Sequence, residues 1–340
     1  MSNHTDTFEN RLARAVQRRV PLVRRPFRTL AYQLGVNEDE VIDQVTAWIE
    51  GGRLREISAI LEGAAFGNDS ALVAGRVSED DIERVAHIIN AHPTVTHNYR
   101  REHDYNLWFT ISTPPPMDLE HTLDILAEQT GVEKFWPLRR TQTFKIGVNF
   151  DLRSRKNTTP VKRLDEPKVR EPTEREKRMY RALQTPISPT AQPFDALAEQ
   201  AGVPVEVLLN FAGRQLGQSI RRYVGTFQHR RIGVGGNGMT VWDVPADRLA
   251  EVGAAMAHAP EVSHCYARNP IPGFRWTLYT MIHGPDADSV RRVVERLGEQ
   301  TGVDDHLILF STHEYKKCRL RYFLPELDQW WDTYAQRGAA

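Results

Sequence analysis

Apolar residues recur along the first part of the chain at the three- and four-residue spacing of amphipathic helices. Leu12 to Gln17, Phe27 to Leu34 and Glu38 to Ile49 each carry this spacing, which predicts three short helices. The sequence "LGVN" is typical of a tight turn between the second and third helices, and "EGGRLREISAI" suits a hairpin wing. The pattern predicts a winged helix-turn-helix.

The pattern then changes to alternating segments separated by helical ones. The predicted order is strand (Ala71 to Val77), helix (Ser78 to Ala91), two strands (Val95 to Arg101 and Tyr105 to Ser112), helix (Asp118 to Thr130) and a last strand region (Lys134 to Phe150). This βαββαβ order is that of the ferredoxin-like sandwich.

The same plan occurs twice, at an offset of roughly 170 residues. "LDILAEQTGVEKF" recurs as "VERLGEQTGVDDH", and "FRTLAYQLGVNEDEVID" recurs as "FDALAEQAGVPVEVLLN". Since order as well as content is repeated, we interpret the chain as a tandem duplication. The predicted fold class is α+β, each half being a winged helix-turn-helix followed by a ferredoxin-like βαββαβ sandwich.

The predicted domains follow from this repeat and from a charged, Pro-containing stretch between the halves that is too poor in apolar residues to fold alone. They are a winged helix-turn-helix (1–62), a ferredoxin-like domain (63–150), the linker (151–174), a second winged helix-turn-helix (175–232), a second ferredoxin-like domain (233–325) and a C-terminal tail (326–340).

Composition places the chain among soluble globular proteins, with 340 residues, 40% hydrophobic and 26% charged. The 44 basic and 44 acidic residues leave no global field, so a charged partner must be attracted by local clusters. No leader peptide or long apolar run is apparent, and Cys265 and Cys318 lack metal or redox spacing. We expect a cytoplasmic protein with no membrane partner.

A helix-turn-helix joined to a βαββαβ domain resembles the Lrp/AsnC transcription regulators, which implies DNA binding. The expected recognition helix argues against this function, because it opens with four carboxylates that a duplex would repel, namely Glu38, Asp39, Glu40 and Asp43. The second copy offers Glu206 and no basic residue before Arg214. We therefore expect no DNA partner and interpret both units as packing and dimerisation modules.

The strand at Val95 carries more polar chemistry than a core strand normally does. Period-two alternation would place one set of residues on a single face: Val95, His97, Tyr99, Arg101, His103 and Tyr105. The second copy would place Val262, His264, Tyr266 and Arg268 on the equivalent face. One face of a ferredoxin-like sheet is covered by helices, so the other would meet the sister half and line an internal cleft.

The same stretches resemble a narrower family, the sirohaem decarboxylases of the AhbA/AhbB and NirD/NirL type. The resemblance is carried by "VTHNYRREHDYNLWFT", "FKIGVNFDL", "RRYVGTFQHRRIGVGGNGMTVWDVP", "VSHCYARN" and "LYTMIHG", in the order of a fused NirDL protein. It implies conversion of sirohaem to 12,18-didecarboxysirohaem, in haem d1 or alternative haem biosynthesis. It further implies no cofactor beyond the iron of the substrate, a pseudo-dimer of the halves, and a homodimer or other d1-haem biosynthesis proteins as candidate partners.

A flat macrocycle ringed by carboxylates needs apolar walls and several Arg or His donors. Trp108 suits stacking, although core packing is the commoner fate of a strand aromatic. The segment "RQLGQSIRRYVGTFQHRR" contains no acid, so its cationic residues are candidate carboxylate ligands: Arg221, Arg222, His229, Arg230 and Arg231. The alternative is a solvated wing left from a DNA-binding ancestor.

Loss of carbon dioxide from an acetate leaves a carbanion-like carbon that must take a proton, and histidine suits this role with its pKa of about 6.5. We predict His97 and His103 as catalytic acids. Tyr99, Arg100 and Arg101 are predicted to hold the substrate.

In the second copy His264, Tyr266 and Arg268 are predicted to bind substrate only, because "ARNPIP" replaces "RREHDY" and leaves no counterpart of His103. The halves are then unequal. A strand histidine is alternatively a structural residue or an iron ligand, so His97, His103 and His264 are also candidate ligands of the substrate iron.

Three functions therefore compete at this stage: a decarboxylase, a regulator, and a tetrapyrrole carrier that uses the same pocket without turnover. The remaining histidines beside helices are expected at the surface: His87, His92, His121 and His258.

Overall fold

The computed structural model describes residues 7–146, 169–227 and 236–335. The helices are α1 (Phe8–Arg18), α2 (Pro26–Leu34), α3 (Glu38–Glu50), α4 (Ile82–Ala91), α5 (Leu119–Thr130), α6 (Glu174–Gln184), α7 (Phe194–Ala201), α8 (Val205–Gln215), α9 (Leu249–His258), α10 (Ala287–Thr301) and α11 (Pro325–Tyr334). The strands are β1 (Leu54–Leu61), β2 (Asp69–Gly75), β3 (His97–Arg101), β4 (Leu107–Thr113), β5 (Phe135–Lys145), β6 (Ile220–Phe227), β7 (Gly236–Trp242), β8 (Val262–Arg268), β9 (Leu278–Gly284) and β10 (His306–Lys317). The order occurs twice, which confirms the predicted α+β duplication.

The described residues form two compact units, and each unit takes elements from both halves of the repeat. The helical unit contains the described residues up to 67, residues 169–227 and residues 321–323. The barrel unit contains residues 68–146, 236–320 and 324–335. These units cut across the domains that the sequence predicts, because equivalent parts of the two halves pack together. Most of the predicted linker, 151–174, lies outside the described residues.

In the helical unit, α2 and α3 form the first helix-turn-helix. Their turn requires Gly35, whose φ of 71° lies in the left-handed region that glycine tolerates. Asn37 and Glu40 form a capping box at the start of α3, and Arg25 forms an ion pair with Glu38. The carboxylates at the start of α3 therefore stabilise a helix N-terminus, where negative charge also complements the helix dipole.

The segment predicted as a hairpin wing instead forms the single strand β1, which pairs antiparallel with β6 of the second half. The segments that follow α1 and α6 also contact the strand of the other half. The backbone N–H of Val20, after α1, donates to Tyr223 O in β6 at 2.9 Å, and Ile187 N, after α6, donates to Ile57 O in β1 at 3.0 Å. A strand from each half thus completes the wing of the other half.

Gly225 of β6 lies against α1 of the other half. A substitution at this position therefore tests the packing between the two halves. A Cβ at this position would lie 2.3 Å from Val16 Cγ1 and 3.0 Å from Leu54 Cδ1. We expect Gly225→Ala to lower the free energy of unfolding by about 1–3 kcal/mol through overpacking, measured by urea denaturation. Gly213→Ala in α8 is the control, because no atom lies within 4 Å of its added Cβ. An unchanged midpoint for Gly225→Ala would contradict this packing.

In the barrel unit the described strands form one closed barrel in the order β10-β3-β4-β2-β5-β8-β9-β7. The sequence predicts two sheets that meet face to face, whereas the sheets join edge to edge at two seams, β10–β3 and β5–β8. Helices cover the outside of each half. Side chains from both halves face the interior. The interior of an eight-stranded barrel is either filled by side chains or wide enough to hold one small ligand.

Three apolar clusters follow from this arrangement. The outer core of the first half packs α4 and α5 on residues such as Val73 and Phe109, and the outer core of the second half packs α9 and α10 on Cys265 and Ala267. The interior cluster joins both halves and includes Trp108, Phe274 and Tyr279. Alternate residues of one strand therefore belong to different cores.

The predicted C-terminal tail contains α11, which carries Trp330 into the outer core of the first half. The ring of Trp330 contacts His92 edge-on, with a centroid distance of 4.3 Å. His92 is fully buried, so the predicted surface position is wrong for this histidine, and burial lowers its pKa to about 3.

Candidate active site

Strand β3 turns His97, Tyr99 and Arg101 toward the barrel interior. Asn98 between them faces the helices, because its amide donates to Ala86 O at 3.3 Å and to Asn90 Oδ1 at 3.0 Å. The inward direction follows from the register, since Tyr99 pairs with Trp108 of the interior cluster. The predicted alternation is therefore correct for these three residues.

Strand β8 presents His264, Tyr266 and Arg268 to the same interior. Tyr266 pairs with Tyr279 of the interior cluster, whereas Cys265 between the inward residues belongs to the outer core. Each half thus contributes a His-Tyr-Arg row in the same order along an equivalent strand.

The predicted face is wrong for Val95 and Val262, which lie in the outer cores instead. In β8 the register shifts between Val262 and His264, so the two residues do not follow simple alternation. Such irregularities re-aim the side chains that follow them.

The arginines of the two rows span the seams; Arg101 is buried, and Arg268 is half-buried with a buried Nε. The guanidinium of Arg101 donates from Nη1 to Leu309 O across the β3–β10 seam, and Arg268 Nη1 donates to Leu138 O at 2.6 Å across the β8–β5 seam. The guanidinium carbons lie over Tyr99 at 5.5 Å and over Tyr266 at 5.3 Å from the ring centroids.

Both arginines are cations without an acidic partner among the described residues. Burial lowers the pKa of each to about 10, so each still carries its charge near neutral pH. Their Nε atoms are buried and donate no hydrogen bond within the described part of the chain. A buried cation in this condition is costly unless an anion joins it.

Trp108 and Tyr279 occupy equivalent positions beneath these rows. Trp108 is fully buried and its Nε1 donates to Tyr105 O at 2.6 Å, which indicates core packing rather than the predicted stacking on a substrate. The hydroxyl of Tyr279 has no hydrogen-bond partner among the described residues, and burial raises its pKa.

The two inward histidines each contact the hydroxyl of the preceding residue. Thr96 Oγ1 lies 3.0 Å from His97 Nδ1, and Ser263 Oγ lies 2.9 Å from His264 Nδ1. Ser263 Oγ also lies 2.6 Å from His283 Nε2. His283 stands in the quoted stretch "LYTMIHG", but no repeat partner in the first half marks it in the sequence.

His103 is not part of this group. It lies in the turn between β3 and β4, six positions after His97, and four residues of strand alone span about 13 Å. Its Nδ1 accepts a hydrogen bond from Tyr105 N at 2.9 Å, and its ring packs edge-on against Phe274 at 5.2 Å. Burial is the main reason that its pKa lies below the usual value, so it is neutral near pH 7.

His103 lines two cavities at this turn, of about 350 and 520 Å³. The smaller cavity is polar and includes Arg100, whose guanidinium forms an ion pair with Glu79 rather than facing the interior. The larger cavity is mainly apolar, with Phe274 and Trp276. The prediction that His103 shares one face with His97 is therefore wrong, because β3 ends at Arg101.

The other predicted ligands lie elsewhere. Arg221 and Arg222 belong to β6 in the helical unit, where Arg221 Nη1 lies 4.0 Å from Glu62 Oε2. His229, Arg230 and Arg231 lie outside the described residues.

The described residues contain no cluster of His, Cys, Asp and Glu able to hold a metal ion. Within the same residues, none of the helices has both the length and the apolar character needed to cross a lipid bilayer.

Comparison with known proteins identifies both kinds of domain. The model of the AsnC-like ligand binding domain matches residues 65–145 and 231–316, and that of the "Siroheme decarboxylase NirDL-like HTH domain" matches residues 9–55.

Similar proteins cover the chain both as a whole and by halves. A "Siroheme decarboxylase" of Hydrogenobacter thermophilus is 34% identical, over 94% of this chain and 96% of that protein. A "Siroheme decarboxylase beta subunit" of Methanosarcina barkeri is 35% identical, over 42% of this chain and 95% of that subunit. A crystal structure of the siroheme decarboxylase NirDL with an iron-uroporphyrin III analogue superposes with a TM-score of 0.77 and 30% identity, covering 97% of this chain and 99% of that one. The duplicated halves of this chain thus have relatives that are separate subunits.

Proposed function

This chain belongs to the sirohaem decarboxylase family, and from that premise we propose that it removes two carboxyl groups from sirohaem to give 12,18-didecarboxysirohaem. The product would serve haem d1 or alternative haem biosynthesis. No cofactor is needed in this proposal, because the iron belongs to the substrate. The proposal also keeps the predicted cytoplasmic location.

The observation that supports this substrate most directly is the pair of buried guanidinium groups. Arg101 and Arg268 are positive, each has a buried Nε, and neither pairs with a carboxylate among the described residues. A tetrapyrrole that bears several carboxylates would supply the missing anions, and Arg binds a carboxylate through more than one N–H at once. We assign these two arginines to carboxylate binding in the barrel interior.

The acids that complete the reaction are proposed to be His97 and His264. When an acetate loses carbon dioxide, the electron pair of the broken C–C bond stays on the methylene carbon and delocalises into the macrocycle. That carbon then takes one proton and becomes a methyl group. An imidazole near neutral pKa suits this transfer.

Each acid stands beside an aromatic ring of its own row. The centroid distance is 6.1 Å from His97 to Tyr99 and 5.9 Å from His264 to Tyr266. The two tyrosines also contact the arginine cations. Each row therefore places the proposed acid, a tyrosine and the proposed carboxylate-binding arginine next to one another. Since the reaction removes two carboxyl groups and the barrel contains two such rows, we assign one acetate to each row.

Other predicted roles are not part of this proposal. His103 lies in the turn after β3, Arg100 of β3 pairs with Glu79, and Arg221 and Arg222 lie in the helical unit. Ligation of the substrate iron by His97 or His264 is not part of this proposal, because an imidazole nitrogen bound to iron could not also donate the proton.

The alternative functions differ from this proposal in testable ways. A carrier would use the same interior groups without turnover. A regulator would need its recognition helices, yet Glu38 and Glu40 at the start of α3 are used for an ion pair and a capping box. We therefore rank the carrier as the second candidate.

Purified protein incubated anaerobically with sirohaem should yield a tetrapyrrole that has lost two carboxyl groups in succession. Mass spectrometry of the extracted pigment measures the loss, and the absorbance change on mixing measures binding separately. If sirohaem binds but is not changed, the carrier function would replace the decarboxylase function. Protein that neither binds nor changes sirohaem would contradict both.

A further inference from the structure

The inward row of the second half stands beside an aromatic residue whose polar group differs from that in the first half. The strand register places Trp108 opposite Tyr99 in the first half and Tyr279 opposite Tyr266 in the second. Trp108 and Tyr279 are therefore equivalent, and both belong to the interior cluster. Each ring carries one polar group, and these two groups are used differently.

The polar group of Trp108 has a partner, whereas that of Tyr279 has none among the described residues. Trp108 Nε1 donates to Tyr105 O at 2.6 Å. Tyr279 is only 3% exposed, and its hydroxyl is buried without a hydrogen bond to any described residue. A buried hydroxyl that lacks a partner destabilises a protein, and phenylalanine at this position would avoid the penalty. The hydroxyl therefore indicates a partner that comes from outside the chain.

Arg268 lies beside Tyr279. Its guanidinium carbon is 5.5 Å from the centroid of the Tyr279 ring. Its Nε, like the hydroxyl, is buried and donates no hydrogen bond within the described part of the chain. Two neighbouring donors of this kind suit a carboxylate, whose two oxygens accept hydrogen bonds and whose charge complements the arginine. A cationic group would be repelled by Arg268, and an apolar group would leave both donors unpaired.

A second cation, Arg140 of β5, lies at the same row. Arg140 pairs with Arg268 across the seam, and its guanidinium carbon is 5.5 Å from the centroid of the Tyr266 ring. Burial is the main cause of the lowered pKa of Arg268, and the charge of Arg140 acts in the same direction. Arg140 is exposed and forms no ion pair with a described residue. Two neighbouring cations repel each other, and an anion that joins them removes this repulsion.

The first half has no counterpart of Arg140. Counted from the repeated "QTGV", Arg140 corresponds to Ser311. The register agrees, because Ser311 of β10 pairs with Arg101 at the other seam. Of the three donors in the second half, the first half therefore has only one, the guanidinium of Arg101.

We propose that Tyr279 and Arg140 are substrate-binding residues that, together with Arg268, hold one carboxylate of the tetrapyrrole in the second half more tightly than Arg101 holds one in the first half. This inference rests on the proposed function for the identity of the tetrapyrrole. Tyr279 supplies a hydrogen bond inside the barrel, and Arg140 supplies charge at an exposed position. Salt should therefore screen the contribution of Arg140 and leave that of Tyr279 largely unchanged.

The test for Tyr279 compares two hydroxyl groups of the barrel. Tyr279→Phe should weaken sirohaem binding about tenfold, the lower end of the effect of a hydrogen bond to a charged group. Its urea midpoint should stay the same or rise, because no hydrogen bond of the free protein is lost. Tyr105→Phe is the matched control, since its hydroxyl already donates to Pro272 O at 2.7 Å. The control should lower the midpoint and keep the affinity. If the hydroxyl of Tyr279 binds only water, Tyr279→Phe will keep wild-type affinity, which would overturn its role.

The test for Arg140 uses the adjacent arginine of the same strand. Arg140→Gln should weaken binding about two- to fivefold at low salt, as for an exposed ion pair, and the difference from the wild type should shrink as salt rises. Arg139→Gln removes the same charge, but Arg139 pairs with Asp69 and Glu120, so the affinity should not change. Equal losses in the two variants would reduce the effect to net charge and overturn the role of Arg140.

The carboxylate site and the decarboxylation fail separately in these experiments. The absorbance change on mixing gives the affinity for sirohaem, and mass spectrometry of the same samples gives the loss of carboxyl groups. Wild-type protein that binds sirohaem without changing it would count against decarboxylation, while the affinities of the variants would still test the site. Normal turnover with wild-type affinity in both Tyr279→Phe and Arg140→Gln would overturn the site and leave the decarboxylation in place.

Discussion

Replacing His97 by alanine is expected to slow decarboxylation by about 10²- to 10⁴-fold, the contribution that general acid catalysis typically makes. The reason is its position: His97 faces the barrel interior at the head of the row that ends in the buried Arg101. Binding of sirohaem should change much less than turnover. Single-turnover kinetics with mass spectrometry of the pigment measures both.

The two rows make a more specific result possible. If each row serves one acetate, His97→Ala and His264→Ala should each accumulate a tetrapyrrole that has lost only one carboxyl group. The double variant should lose neither. The remaining carboxylate differs between the two single variants, which fragmentation of the pigment can establish.

His103→Ala is the control for this prediction. His103 lies in the turn after β3, packed on Phe274, and should affect turnover much less than His97. An inactive His103→Ala beside an active His97→Ala would move the acid to the cavities at that turn. Our assignment of the interior rows would then be wrong.

The sequence predicts which residue types form the site better than it predicts how the strands around the site are arranged. Alternation along β3 and β8 identifies the two inward rows, because side-chain direction in a strand depends only on local geometry. It fails at His103, since nothing in the alternation shows that the strand ends at Arg101 and turns. It also fails at Val95 and Val262, which precede the regular part of each strand.

The pairing of strands between halves could not be predicted from local patterns. A segment such as "EGGRLREISAI" has the same alternation whether it folds back on itself or pairs with β6. The barrel likewise closes through the pairs β10–β3 and β5–β8, whose strands lie far apart in the sequence. His92 illustrates the same limit, because Trp330, which buries it, comes from the C-terminal helix α11.

Arg101→Met is expected to weaken sirohaem binding about ten- to a hundredfold, the equivalent of roughly 1.5–3 kcal/mol for a hydrogen bond to a charged group. Methionine has a similar length and removes the charge together with the hydrogen bond from Nη1 to Leu309 O. Arg268→Met should act in the same way. Because the charge is buried, raising the salt concentration should weaken wild-type binding less than it would weaken binding at an exposed patch. Titration of the absorbance change on sirohaem addition measures the affinity.

Stability distinguishes substrate binding from a purely structural role of Arg101. Its Nη1 also donates to Leu309 O across a seam, so a structural clamp would predict a lower urea midpoint with unchanged affinity. If Arg101 instead awaits a substrate carboxylate, replacing an unpaired buried charge by an apolar side chain should leave the midpoint unchanged or raise it, because the desolvation cost of that charge disappears. Arg100→Gln is the neighbouring control, since Arg100 pairs with Glu79 away from the interior and should alter neither measurement appreciably. Lower stability with wild-type affinity in Arg101→Met would reassign this arginine to holding the halves together and would remove the main support for carboxylate binding inside the barrel.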